Sequence, residues 1–450
     1  MMAAADPIQP FGRRGLCPTL SAPMRTGDGF LSRIAFEADI DPRDMVVLCH
    51  LAERHGNGLI DITARSSLQF RGLTPESACA LEKDVLALDL PLRAGLAVET
   101  SPLAGRDDAE IADGGPLAEE IRKEADRLVL HEKLAAKMSV VIDGGGRLSM
   151  EDLLADIRLK AVSLDGRTVW RLLVGGPESK SLNAGLVETD AAGVVLSLLV
   201  YLAGEGPLAR GRDLDHSTIK AICGDRLLDR VIVDDTRAAS APLGLMMTGK
   251  DRFTIAVAPA FGQIRACDLS HLCERAGTLG IRALQPAPNH SLLFFGSSSV
   301  CGGLLEIARA SGFITTAGDA RSSIASCPGA PGCASAFLPT HELAAFASEE
   351  CASLLDGSFT LHISGCGKGC ANPAPSLLTF SGTADGLAFS ISGRAGDLPD
   401  GILPFQHQRT ALSRLARLYE KEHKPGENAA TLFARLGKQA IGAALRQDDR

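Results

Sequence analysis

The chain has 450 residues and a net charge of −8, is rich in Ala, Gly and Leu, and holds one Trp and two Tyr. That length suits roughly three domains of about 150 residues, with cores large enough to do without disulfide staples. The acidic balance argues against nucleic acid or an anionic membrane as a partner, so an anionic ligand has to be met by a local basic pocket.

The lead from Met1 to Pro10 lacks the basic and apolar regions of a secretory signal. The longest apolar stretch, Gly193 to Ala203, is about half the length of a bilayer span. A cytoplasmic protein with no membrane partner is expected, and its twelve cysteines are then no disulfide framework. Cys49, Cys79, Cys223, Cys273, Cys301 and Cys351 stand singly in apolar stretches and read as small buried hydrophobes.

Along the chain, Leu31–Phe36 alternates as a strand, and Arg43–Arg54 carries apolar residues at helical spacing and stops at Gly56. Ile60–Thr63 and Ser67–Arg71 alternate as two strands about a turn. Pro116–Ala136 then predicts a helix, Met138–Ile142 a strand, Asp143–Gly146 a turn, the segment from Met150 another helix, and Val169–Val174 a strand. From Thr248 the first group returns. His271–Arg275 and Gly277 echo His50–Arg54 and Gly56, and Gly280–Gly296 echoes Leu59–Gly72. The separation is far beyond any solenoid period, so it signals a duplicated half-domain. Each copy reads as half of a ferredoxin-like unit, and two such halves can pair into one sheet.

A helix over Cys301–Ala310, a cysteine-bearing segment and strands over Thr360–Ile363, Leu377–Phe380 and Gly386–Ser390 repeat the order of the intervening region. His407–Leu445 reads as an amphipathic surface helix pair without chemistry. The expected division is 10–80 and 236–298 for the half-domains, 81–235 and 299–400 for two α/β domains, and 401–450 for a helical extension. The fold class is thus α+β, with two kinds of module each present twice.

Four cysteines differ from the rest. Cys327 and Cys333 are spaced Cys-x5-Cys, and Cys366 and Cys370 are spaced Cys-x3-Cys, in segments rich in Gly and Pro. Such backbone turns tightly and brings its N–H groups close to sulfur. A [4Fe–4S] cluster needs four thiolates converging from loops with N–H donors around them. Structural zinc sites favour closer cysteine pairs than x5, so spacing, pairing and loop chemistry together favour iron–sulfur. Lys368 between the last two cysteines reads either as a solvated loop lysine or as a partial counter-charge to a cluster or an anionic ligand.

With the repeat, the phrase Ile62–Gly72, the loop Ser101–Gly105 and this cysteine set, the chain resembles the nitrite and sulfite reductase superfamily. Arg14–Pro18, Ser21–Met24, Thr26–Asp28, Cys327–Cys333 and His362–Cys370 carry a narrower resemblance, to the branch that acts on precorrin-3A in aerobic cobalamin biosynthesis. In the reductases the fourth cysteine, here Cys370, bridges the cluster to sirohaem. Sirohaem and precorrin-3A are both acidic tetrapyrroles whose carboxylates call for Arg and Lys partners. The resemblance implies a macrocycle-carboxylate role for Arg65 and a catalytic role for Lys137, and repeat position adds Arg71, Lys250 and Arg252 as substrate-binding residues. For Arg71, an outward charge on a strand is an equal reading.

Two departures bear on the reaction. Ser139 stands where sulfite reductases have a second active-site lysine, and the family arginine before the Ser-Pro-x-Ala-Gly loop aligns with Leu96 or nearby. Losing half the cationic set argues against sulfite reduction and for a tetrapyrrole as the substrate itself. The implied reaction is oxygen-dependent hydroxylation of precorrin-3A at C20 with γ-lactone closure, using O2, a mononuclear non-haem iron and NADH as distal donor. No dinucleotide-binding glycine fingerprint is present, so electrons are expected from a separate NADH-dependent reductase. The second iron's ligands are not placed; His50 and His271 read as helix-packing or surface residues, and His362 is a candidate. The alternatives are a sirohaem-dependent nitrite or sulfite reductase and a non-enzymatic iron–sulfur or tetrapyrrole-binding protein.

Overall fold

The computed structural model describes residues 18–176, 182–228 and 242–446. They form two compact units, one of Thr19–Arg25 with Gly29–Asp319, the other of Pro18 and Thr26–Asp28 with the chain from Ala320 onward.

The chain opens with β1 (Met24–Thr26), β2 (Gly29–Ala35), α1 (Pro42–His55), β3 (Leu59–Ile62), β4 (Ser67–Leu73) and α2 (Pro75–Leu86), all but Thr26 in the first unit. Asp41 caps α1 by accepting the Arg43 N–H, Pro42 fits its first turn and Gly56 ends it. Thr74 and Ser77 cap α2 reciprocally. Next come β5 (Ala97–Thr100), α3 (Gly115–Arg127), β6 (Ser139–Asp143), β7 (Ile157–Leu164), β8 (Arg167–Val174), β9 (Leu182–Val187), α4 (Glu188–Glu205), α5 (His216–Cys223) and β10 (Leu227–Leu228). The second repeat copy supplies β11 (Gly244–Gly249), β12 (Arg252–Val257), β13 (Gln263–Arg265), α6 (Ala266–Leu279), β14 (Ala283–Ala287), β15 (Ser291–Gly296) and α7 (Ser298–Ala310).

The duplication is visible in the strand order: β1-β2-β4-β3 in one copy and β11-β12-β15-β14 in the other. The copies do not merge into one continuous sheet. Isolated bridges at Ile40–Leu284 and Arg65–Pro288 link them, and β13 extends the first sheet beside β3. The facing edge strand β14 carries Pro286, with Pro288 just beyond, and proline has no N–H to extend a ladder. Burial joins the halves instead: Met45 and Leu48 of α1, Leu269 and Leu272 of α6, and Phe70 and Phe294 from the sheets share one core.

The remaining strands of this unit form the sheet β10-β9-β8-β7-β6-β5. Its β5, β6 and β7 run parallel, and β8 and β9 antiparallel. The second unit contains β16 (Ile324–Ser326), α8 (Thr340–Glu350), β17 (Leu361–Ser364), β18 (Ser376–Thr383), β19 (Gly386–Gly393), β20 (Gly401–Leu403), α9 (Gln408–Glu422) and α10 (Ala429–Arg446). Here too three parallel strands, β16, β17 and β18, precede two antiparallel ones. The second module is therefore also present twice.

Three expectations need correction. The helix from Pro116 ends at Arg127, because Val129 adopts a left-handed conformation and a short 3-10 turn at Leu130–Glu132 follows. No helix starts at Met150. The carbonyls of Met150, Glu151 and Leu153 accept from the Arg158 guanidinium, and the Met150 N–H donates to Asp143, so a bonded loop leads directly into β7. Cys79 is exposed on α2, whose buried stripe is Ala78, Leu81 and Val85; the other five single cysteines are buried.

Candidate functional site

The cysteine loops begin where parallel strands end. Cys327 follows β16 directly and Cys366 lies just past β17, its neighbour in the sheet. Ligands of parallel sheets gather beyond the carboxyl ends of their strands, so the two distant motifs share one edge. Gly329 and Gly365 allow the loops to touch. A Cβ on Gly365 would come 2.7 Å from the Ala336 Cβ and 3.2 Å from the Gly329 Cα, and Gly329 itself has φ of +62°. The Gly365 N–H donates to the Cys327 Sγ at 3.2 Å, and the Phe337 N–H donates to the Gly365 carbonyl at 2.8 Å.

Cys327 is buried, Cys333 and Cys366 are half-buried, and Cys370 is exposed. Burial pushes the Cys366 thiol up, and the nearby sulfurs of Cys333 and Cys327 add to this against the pull of Lys368 and its N–H. Lys368 itself donates to the Ser335 hydroxyl at 2.8 Å, across the two loops. Among the described residues, no three His, Cys, Asp or Glu side chains converge as ligands of a single metal ion. A tetrahedral zinc site would need sulfurs within about 4 Å of one another, whereas a cube takes one thiolate at each iron corner. Soft donors from two loops, a main-chain N–H on sulfur and a glycine cradle fit an iron–sulfur cube.

The cationic residues lie in the other unit. Arg65 sits in the turn between β3 and β4, where the Thr63 hydroxyl accepts the N–H groups of Arg65 and Ser67. Its guanidinium, about one-third exposed, binds both oxygens of buried Glu99 and donates to the Leu154 carbonyl at 2.6 Å. Arg93 also reaches Glu99. Arg71 points inward from β4 and pairs with buried Asp61 at 2.9 Å. Lys250 is exposed in the β11–β12 turn, and Arg252, also exposed, pairs with Asp108.

Lys137 is half-buried just before β6. Asp156 organises its surroundings by accepting from the Ser139 N–H, the Gly211 N–H and the Arg210 guanidinium, which also donates to the Lys137 carbonyl. Asp156 and Arg210 lie 54 positions apart and carry no sequence motif, so nothing in the chain's pattern marked them. Ser139 is buried, and Leu96 belongs to the apolar core. His50 and His271 are exposed on α1 and α6. His362 is wholly buried on β17, both ring nitrogens lack a partner, and burial holds its pKa down to about 4. Of the motif Arg14–Pro18, residues 14–17 lie outside the described residues.

The twofold repeat of both modules, with paired cysteine loops at the end of the second parallel sheet, defines a nitrite/sulfite reductase type of scaffold. Residues 22–88 match the family model described as the nitrite/sulfite reductase ferredoxin-like half domain. The NirA protein of Mycobacterium tuberculosis shares the fold, with a TM-score of 0.73 over 92% of this chain and 84% of that one, at 18% identity. A precorrin-3B synthase from Sinorhizobium sp. is 38% identical over 439 residues, 97% of this chain and 95% of the relative. The chain belongs to the precorrin-3B synthase family.

Proposed function

We propose that the chain catalyses the precorrin-3B synthase reaction: oxygen-dependent hydroxylation of precorrin-3A at C20 with closure of a γ-lactone by the ring A acetate. One oxygen atom of O2 enters the macrocycle and the other leaves as water, on two electrons drawn ultimately from NADH through a separate reductase. The observation that carries this reading is similarity to a precorrin-3B synthase along almost the whole of both chains. Ser139 and Leu96, buried and uncharged where the reductases are cationic, support a tetrapyrrole as substrate over an inorganic oxyanion.

Cys327, Cys333, Cys366 and Cys370 would hold the [4Fe–4S] cluster, which when bound stores and passes single electrons. Arg65 meets a macrocycle carboxylate through its fork of donors, and Glu99 keeps that fork oriented beforehand. Lys137 offers a second cation, presented by a turn that Arg210 and Asp156 fix. Orienting the macrocycle lowers the entropic part of the barrier to attack at one carbon. A mononuclear iron for oxygen activation belongs to the same reading, although no described set of His, Asp and Glu is assigned to it.

The test is turnover of precorrin-3A by anaerobically purified, cluster-loaded protein under 18O2 with a chemical reductant. A product bearing one labelled oxygen and a lactone carbonyl is expected. Bound sirohaem in the visible spectrum, with sulfite or nitrite reduction and no change to precorrin-3A, would establish the reductase alternative instead.

A further inference from the structure

The sheet of the second unit has two unlike faces. On one, Leu361, Ile363, Leu378, Phe380, Phe389 and Ile391 are buried and apolar. On the other, strand register places His362 beside Thr379, and Ser364 beside Ser381, with Ser390 next across from Thr379. This second face is also buried, yet it is built of small hydroxyl side chains and one imidazole. Two of the hydroxyls have local partners: Thr379 donates to the Gly393 carbonyl and Ser364 to the Cys366 carbonyl. The imidazole has none on either nitrogen.

The position of Gly369 shows where the ring points. A Cβ built on Gly369 would lie 3.6 Å from the His362 Cε1. That carbon lies between the two ring nitrogens, so the nitrogen-bearing edge is turned toward the Cys366–Cys370 loop. A neutral imidazole carries one N–H donor and one lone pair. Buried polar groups without partners are rare, and one whose ring edge faces a proposed cofactor loop calls for an explanation there. A metal-ligand role lacks companions, because no His, Asp or Glu joins His362 in a group able to hold a single ion among the described residues.

We propose that His362 is a positioning residue that donates its ring N–H to the sulfur shell of the group held by Cys366 and Cys370. The inference rests on the iron–sulfur reading of those cysteines. A hydrogen bond to cluster or thiolate sulfur stabilises the more negative, reduced state and so raises the reduction potential. Thr379 and Ser364 cannot take over this role while their hydroxyls donate to main-chain carbonyls.

The experiment is an EPR-monitored redox titration of anaerobically loaded protein, with iron and sulfide content measured on the same samples. In His362→Leu the cluster should load fully and titrate at a lower potential than the parent. In His362→Gln, which keeps an N–H donor, the potential should return close to the parent's. A leucine variant titrating with the parent, or glutamine and leucine variants shifted equally, overturns the hydrogen bond. Where the leucine variant takes up no cluster, the glutamine variant decides: parental content and potential uphold the proposal, and loss of either overturns it. A parent chain that binds neither iron nor sulfide refutes the cluster reading itself.

Discussion

Arg65 and Arg71 look equivalent in sequence, six positions apart around one strand and both in a phrase the resemblance picked out. Their surroundings separate them. Arg71 is almost fully buried against Asp61, which also accepts from Gln263, so its charge answers an internal carboxylate. Removing one member of a buried pair leaves the other uncompensated, at a cost of about 3–5 kcal/mol. Arg65 is one-third exposed and shares Glu99 with Arg93, which would keep that carboxylate paired in its absence. Arg71→Ala is therefore expected to lower the thermal midpoint sharply. Arg65→Ala should leave the midpoint and iron content nearly unchanged but weaken tetrapyrrole binding, by roughly tenfold to a hundredfold for one charge-assisted hydrogen bond. Thermal denaturation beside an absorbance titration with the tetrapyrrole separates the two; unchanged affinity in Arg65→Ala would remove it from the substrate site.

Between β5 and α3, and again after β6, the first α/β module has loops in the places where the second module carries its cysteines. These loops hold carboxylates instead. Glu110 is half-buried, accepts the Gly105 N–H and lies near Asp113, Asp107 and Asp143. Burial first, and those charges next, raise its pKa to about 7 against the relief from the Gly105 hydrogen bond. A carboxyl raised in the folded state binds a proton that the unfolded chain has already released. Stability from this group thus falls as pH rises from about 4.5 to about 7, and the deficit persists above that. For a half-exposed group the effect is about 1 kcal/mol after allowance for solvent screening. Glu110→Gln should flatten the decline of the thermal midpoint between pH 5 and pH 7; an identical slope in parent and variant would refute the assignment. The sequence displayed these carboxylates but not their convergence, since the loops meet only when β5 and β6 lie side by side.

At the scale of the whole chain, the duplication was legible because both copies keep the same apolar alternation, although α6 runs through Gly277, the counterpart of Gly56, and stops at Gly280. The strand orders of the two half-domains confirm it element by element. What escaped the sequence was set by partners distant along the chain: Arg158 drawing carbonyls away from a helix at Met150, and Asp156 holding the Lys137 turn through Arg210. The cysteine motifs stand out in the sequence by their spacing, but the meeting of their loops depends on β16 and β17 being parallel neighbours, a property of topology. That topology also predicts how a bound cluster is coupled to folding. Both cysteine loops belong to the unit that runs from Ala320 onward, while β2 to β15 belong to the other. A group that binds only the folded loops stabilises the unit containing them. Chelation or oxidative loss of the cluster from the intact protein should therefore speed amide exchange over Cys327–Leu338 and Leu361–Asn372, by roughly tenfold or more for sub-global opening. Exchange in β2, β4, β12 and β15 should stay as it was. Equal acceleration in both units would show that the cluster holds the whole chain together rather than the sheet whose loops carry it.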